Sequence, residues 1–379
     1  MFNSSFSSGN LSYSERLKRI NYFIIFLILI LFSFGLLALY SVAEENFSSW
    51  PKNHLYRFLV GLLLIFFLSM IDIKLIFKFA YPFFFLNILV LALIPFIGTE
   101  SFGATRWIKF GGISLQPSEF VKYSLILALA KYYHSIQDSN INSLTKLFIP
   151  IVFVLTPTAI VFNQPDLGTA LVIALGSFSI FWVAGLSYRY FITGSLLGLL
   201  SIPIAWQFLR EYQKERVFTF FNPERDPLGN GYHILQSKIA LGSGGFFGKG
   251  YLDGTQSHLN FLPEMHNDFI FTMFGEEFGF LGTIFLILIY LTIILISLKM
   301  ANSSKSLFSR YLSVGVTFVF SLYVLINISM VMGLIPVVGV PLPFLSYGGS
   351  SMLAIMGGFG LLMNCYIHQR TNLEKGDFF

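Results

Sequence analysis

Charge is scarce in this chain: Asp, Glu, Lys and Arg together supply 11% of its 379 residues, against about 25% in an average soluble domain. A water-soluble fold fails on that count. Cysteine is scarcer still, since Cys365 is alone, which rules out an internal disulfide and any cysteine-cluster metal site and argues against redox chemistry. No P-loop, GxSxG elbow, HExxH pair or histidines at metal spacing can be found, so nothing within the chain couples to ATP. Heptads, low-complexity tracts, fixed-period repeats and a soluble second domain are also absent from the sequence. The first apolar segment, Tyr22 to Val42, is long enough to cross a bilayer and has no small-residue cleavage pattern after it, so it is expected to stay as a helix rather than be removed as a signal sequence.

What the chain does have is apolar residues, 55% of the total, with 45 phenylalanines that suit lipid-facing or core positions in a membrane bundle. Runs long enough to span about 30 Å recur between short polar breaks. They predict an all-α integral membrane protein of about ten transmembrane helices, near 20–42, 54–71, 78–97, 117–133, 147–162, 166–185, 189–209, 269–298, 311–333 and 345–367. With the N-terminus inside, thirteen Lys and Arg fall in cytoplasmic segments, and only Lys52, Arg57, Arg106 and Lys109 fall in the short outer loops. The positive-inside rule then makes both termini cytoplasmic, and the net charge of +5 records topology rather than an acidic partner. The expected organisation is one polytopic domain with cytoplasmic tails at 1–19 and 368–379 and one large extracytoplasmic loop, 210–268, between the seventh and eighth helices.

A connection that long is usually functional or disordered. Its aromatic and aliphatic residues, from Tyr212 to Leu262, are numerous enough to bury a small core or lie in the interface, which weakens the disordered alternative.

Ionisable residues beside the hydrocarbon are expensive, and here they gather on the outer side. In Gln116-Pro117-Ser118-Glu119-Phe120-Val121-Lys122, proline suits the first turn of a helix, and Glu119 and Lys122 share a face three residues apart. Either Glu119 caps the helix and pairs with Lys122, or the two charges line a substrate cavity. Upstream, Arg106, Trp107 and Lys109 could simply anchor the chain at the interface, or the two cations could meet the phosphates of a lipid head group. Asp166 lies in a tight turn, where helix capping is the plainer role.

Downstream, the apolar stretch Phe278 to Leu298 spans about 31 Å as a helix, which already fills the bilayer. Glu276 and Glu277 then sit near its outer boundary, and Asp268 lies about 12 Å further out if the helix continues, at the level of head groups. Preceded by Glu264 and His266, Asp268 could act as a general base or could cap the helix. The segment Leu342 to Ser351, which includes Ser346 and Tyr347, offers small and hydroxylated residues for close packing or for backbone approach to a ligand.

Five motifs in order carry a family resemblance: Gln116-Pro117-Ser118-Glu119, Gln164-Pro165-Asp166-Leu167-Gly168-Thr169, Gly242-Ser243-Gly244-Gly245, the stretch Leu262 to Phe271, and Pro343-Phe344-Leu345-Ser346-Tyr347-Gly348-Gly349-Ser350-Ser351. From about residue 20 to 370 the chain resembles the RodA/FtsW family, also called SEDS proteins. The stretch Gly231 to Ala240, Gly248-Lys249-Gly250-Tyr251-Leu252 and Gly254 to His258 are similar to the elongation branch. Val338, where division members often carry a lysine, fits that branch as well. Asn267 stands where many relatives have threonine.

The resemblance implies a peptidoglycan glycosyltransferase of the bacterial cytoplasmic (inner) membrane that polymerises lipid II into glycan strands at its outer face. It also implies work beside a class B penicillin-binding protein and other elongation-complex proteins, with no nucleic-acid partner. By matching position Asp268 resembles the family's essential aspartate, the base for the acceptor sugar 4-hydroxyl, whose attack releases undecaprenyl pyrophosphate. Trp107, Glu119 and Lys122 match positions in the family's functional cavity. Arg106 and Lys109 are candidates for the pyrophosphate, and Glu264, His266, Ser346 and Tyr347 join them as substrate-binding candidates. No cofactor is fixed by these residues; one or two surface carboxylates allow, without requiring, a divalent cation (Mg or Mn) alongside substrate phosphates. A lipid-precursor flippase and a non-catalytic scaffold are the competing functions. A flippase is expected to bind at the midplane through repeated halves, whereas these charges are biased outward.

Overall fold

The computed structural model describes residues 11–47, 50–101, 104–110, 113–136, 141–226, 229–255 and 265–373. After a short helix, α1 (Tyr13–Lys18), come α2 (Tyr22–Val42), α3 (Trp50–Met70) and α4 (Ile73–Ile97). A small sheet of β1 (Thr99–Ser101), β2 (Ala104–Phe110) and β3 (Ile113–Leu115) precedes α5 (Pro117–Ser135), α6 (Leu144–Asn163), α7 (Leu167–Val183) and α8 (Tyr188–Phe208). The long connection folds as α9 (Glu211–Phe221), a 3₁₀ turn (Pro223–Arg225) and α10 (Asn230–Ser243), before α11 (Ile270–Ser303), α12 (Leu307–Val331) and α13 (Gly349–Ile367) complete the chain.

Ten of these helices overlap the ten expected segments. Eight of them (α2, α3, α4, α6, α8, α11, α12 and α13) are each long and apolar enough to cross a membrane. The other two differ for identifiable reasons: α7 has 17 residues, and α5 carries Glu119, Lys122 and Lys131. α5 can hold those charges because it is central, buried along nearly its whole length and packed against α4, α7 and α12. α13 runs along α3, and Asn364 Nδ2 donates to Leu68 O at 2.8 Å and Ile71 O at 2.7 Å, satisfying carbonyls that the end of α3 leaves open. α8 is the opposite case: none of its residues is buried, and its aromatic contacts, such as Phe191 with Phe178 at 4.5 Å, lie near its ends.

The sheet departs from the purely helical expectation. β2 pairs antiparallel with β1, Thr99 opposite Trp107, and with β3, Ile108 opposite Leu115. Its sequence Ala-Thr-Arg-Trp-Ile-Lys-Phe is rich in strand formers, so a hairpin forms where an interfacial anchor or a phosphate-binding pair of cations was expected.

α11 is not one straight rod. Gly279 has φ 64° and ψ −163°, a region essentially reserved for glycine. At this break the N–H groups of Phe280 and Leu281 donate to Gly245 O (3.0 Å) and Phe246 O (3.2 Å), while Lys249 N and Gly250 N donate to Glu276 O (3.0 Å) and Glu277 O (3.2 Å). The 244–250 segment therefore wedges into the helix and satisfies the backbone groups that the break frees, as an apolar setting demands. Close approach requires glycine: a β-carbon on Gly244 would collide with Gly275 O, and one on Gly248 with Glu277 O. The break falls between the apolar stretch that was counted across the bilayer and Glu276 and Glu277, so the straight-helix placement of those two carboxylates does not carry across Gly279; on the other side of it α11 is helical from Ile270, two residues after Asp268. Glu276 and Glu277 are buried in protein, Glu276 by Lys249 Nζ at 2.6 Å and Thr255 Oγ1 at 3.0 Å, and Glu277 by the Ser41 hydroxyl.

Candidate active site

Pro117 starts α5, and because the preceding Gln116 does not cap the helix with its side chain, that amide is free to reach Asp166, Nε2 to Oδ2 at 2.9 Å. Gln116 N donates to Ser350 Oγ (2.9 Å), which donates to Ser114 O (3.1 Å), so the first turn of α5 is sewn to the first turn of α13. One turn in, Glu119 accepts from Lys122 Nζ at 2.8 Å and from Tyr323 OH at 2.6 Å, and Lys122 and Tyr323 also bond to each other. The ion pair is present and buried, no side chain caps the helix, and of the two charges Glu119 alone is part of a cavity lining.

Asp166 caps α7 as expected, accepting from Thr169 N at 3.1 Å, and its second oxygen takes the Gln116 amide. Arg106 on β2 clamps the same turn, with Nε to Gln164 O at 2.7 Å, Nη2 to Pro165 O at 2.5 Å and Nη1 4.0 Å from Asp166 Oδ2.

The segment 337–341 forms a ledge to which several elements are tied. Arg216 of α9 donates to Val337 O at 3.2 Å. Gly168 lies so close under Val338 O that a β-carbon there would stand 2.5 Å away. Gly339, at φ 72°, faces the Asp268 carboxylate. Asn327 Nδ2, fully buried in α12, donates both to Val340 O at 2.8 Å and to Asp268 O at 3.0 Å, joining the ledge to the start of α11. Beside it, Tyr347 N donates to His266 O at 2.9 Å, the His266 ring stacks on Trp50 at 4.3 Å, and the Arg57 guanidinium lies 4.5 Å over the Tyr347 ring.

These elements enclose a cavity of about 370 Å³ lined by Arg106, Trp107, Gln116, Glu119, Asp166, Thr169, Arg216, Asn267, Asp268, Tyr323, residues 338–341 and Tyr347 to Ser351, with Val172. Its size and its few convergent polar groups suit a ligand site. Of the sequence candidates, Asp268, Arg106, Trp107, Glu119 and Tyr347 line it, and Lys122 lies beneath it through Glu119. His266 stands behind Tyr347. Ser346 is buried and accepts from Leu342 N at 2.7 Å, bracing the turn. Lys109 is exposed on β2, outside the lining, and Glu264 lies outside the described residues. Arg216, Tyr323 and Gly339 were not singled out from sequence. Gly339 was the most legible of the three, as a glycine between two prolines in Pro336-Val337-Val338-Gly339-Val340-Pro341.

Comparison with known proteins shows which family the chain falls in. The profile of the cell cycle protein family FTSW_RODA_SPOVE matches residues 18–371. The chain belongs to this family. It is 43% identical over 284 residues to the peptidoglycan glycosyltransferase MrdB of Escherichia coli K12, covering 75% of this chain and 76% of that one. Among solved structures, a chain of a peptidoglycan synthase complex that coordinates polymerization and crosslinking superposes with a TM-score of 0.80 at 30% identity, covering 92% of this chain and 98% of the other. The rod shape determining protein RodA of Thermus thermophilus superposes with a TM-score of 0.71 at 27% identity, covering 92% and 97%. Membership in this family, with its apolar helices, makes the chain an integral membrane protein.

Proposed function

We propose that the chain is a peptidoglycan glycosyltransferase of cell elongation, polymerising lipid II into glycan strands beside a class B penicillin-binding protein. The observation that carries this is the position of Asp268. Its carboxylate lies on a polar cavity to which the 116–119, 166–169, 267–268, 338–341 and 347–351 segments all contribute. The reaction needs a base for the acceptor hydroxyl and a shaped wall for the donor. In it the acceptor 4-hydroxyl oxygen bonds to the anomeric carbon of the donor, the hydroxyl proton passes to Asp268, and the bond from that carbon to the pyrophosphate oxygen breaks. The electron pair leaves with undecaprenyl pyrophosphate.

Glu119 is bonded to Lys122 and Tyr323, and Asp166 to Gln116 and the start of α7. The match of Asp268 to the family's essential aspartate, together with its position on the cavity lining, supports it as the carboxylate that takes the proton. A divalent cation acting here would take Asp268 and the substrate phosphates as ligands and would add charge neutralisation. The excess of Lys and Arg at the opposite end of the bundle supports an outward-facing cavity with both termini cytoplasmic. A lipid-anchored substrate can then keep its tail in the bilayer and its sugars at the cavity.

The test is polymerisation of lipid II by the purified full chain reconstituted with its transpeptidase partner. Glycan strands and released undecaprenyl pyrophosphate are the expected products. Movement of lipid II between leaflets without any glycan product would replace the enzyme with a flippase.

A further inference from the structure

A reaction that expels a diphosphate works best with a cation whose N–H donors are fixed beside the breaking bond. Arg106 has little to offer, since Nε and Nη2 are held by Gln164 O and Pro165 O and Nη1 faces Asp166. Lys122 is buried against Glu119 and Tyr323. Lys109 is exposed, away from the lining.

Arg216 is different. It lies three residues from both Gln213 and Thr219, the two buried residues of α9, so α9 turns it toward the bundle. It lines the cavity, and its Nη1 donates to Val337 O at 3.2 Å. Its Nε is buried with no acceptor among the described residues. A buried donor without a partner is costly unless a ligand supplies one. The ledge also sets a distance: Arg216 is tied at Val337, and Asp268 faces Gly339 two residues on, a backbone span of at most about 7 Å. The anomeric carbon of the donor is one ester bond from its first phosphate, so a diphosphate at Arg216 brings that carbon toward the base.

Resting on the glycosyltransferase reading, we infer that Arg216 binds the diphosphate of the lipid-linked donor. As the bond from the anomeric carbon to oxygen breaks, its electron pair stays on the diphosphate, and the planar guanidinium stabilises that charge. The proton goes to Asp268, so cation and base serve opposite ends of one displacement.

The experiment uses the full chain with its partner in nanodiscs and reads binding of undecaprenyl pyrophosphate directly, alongside KM and kcat for lipid II. Arg216→Ala is expected to weaken undecaprenyl pyrophosphate binding roughly tenfold or more and to lower kcat, with Arg216→Lys intermediate because it keeps the charge but not the fork. Undecaprenyl monophosphate, the comparison ligand, is expected to lose less. Arg216→Gln, which keeps a donor for Val337 O, serves if the alanine variant does not fold. Parental affinity for undecaprenyl pyrophosphate in folded Arg216→Ala or Arg216→Gln overturns the assignment even if the parent makes glycan. A parent that binds the diphosphate through Arg216 yet makes no glycan overturns the enzyme reading instead and leaves the binding site standing.

Discussion

Asp268 and Gly339 face each other across the cavity wall, so that a β-carbon built on Gly339 would stand 3.4 Å from Asp268 Oδ2. The contact itself is ordinary, but Gly339 holds φ 72°, which an L side chain adopts at a cost of about 1–2 kcal/mol. Gly339→Ala is expected to lower thermal stability by about that amount and to shift the ledge against Asp268. Since small misplacements of a reacting group cost up to about a hundredfold, polymerisation should fall by about ten- to a hundredfold. Parental turnover in this variant would show that the ledge does not position the carboxylate.

Asn327 supplies the second check. One amide nitrogen holds both Val340 O and Asp268 O, and removing it leaves two buried carbonyls short of a donor at about 1–3 kcal/mol each. Asn327→Ala should therefore lose stability and turnover while KM for lipid II changes little, because the amide touches the backbone of the site rather than the cavity. Asn327→Asp, similar in shape but without the donor, should behave like alanine, and recovery of turnover by aspartate would contradict the assignment.

The broken helix predicts an order among glycines. Gly248→Ala must push a side chain into Glu277 O and also take φ 86°, whereas Gly245 has φ 56° and open space around it. Gly245→Ala should cost about 1 kcal/mol or a little more from strain alone, and Gly248→Ala clearly more than that. Thermal unfolding of the two variants in detergent reads the difference, and equal losses would mean that the 244–250 segment is not wedged into α11.

His233 on α10 gives a pH dependence. Burial lowers its pKa below the usual 6.5, partly opposed by the carboxylate of Asp226. Below pH 6.5 the unfolded chain takes up a proton that the folded one resists, so the stability His233 contributes is present above that pH and is lost as pH falls through the folded value. Unfolding of the α9–α10 region, followed by hydrogen exchange between pH 7.5 and 5, should become easier on acidification in the parent and less so in His233→Gln. An unchanged profile in the variant would assign the effect elsewhere.

The helical segments could be read from the sequence because an apolar run of about twenty residues has few other uses. The carboxylate at Asp268 and the Glu119–Lys122 pair were legible through resemblance and helical spacing. What stayed hidden depended on contacts between distant segments. No local pattern says that Gly245 and Gly248 will enter a break at Gly279, or that Arg216 will meet Val337, because the partners are separated by 31 or more positions in the chain. Tyr323, 204 positions from Glu119, carries no local mark of that partnership. The β2 strand was different: its strand formers Thr105, Trp107, Ile108 and Phe110 were visible, but they do not alternate with polar residues, and Trp107 with its neighbouring cations drew the anchor and phosphate readings instead.

The central claim is that Asp268 takes the acceptor proton. Its most direct measurement is the rate of lipid II polymerisation by Asp268→Asn at saturating substrate, in protein shown by thermal unfolding and by partner binding to be folded. The account predicts a loss of at least about a hundredfold, the scale of general-base catalysis. Glycan synthesis at the parental rate by that folded variant would contradict it.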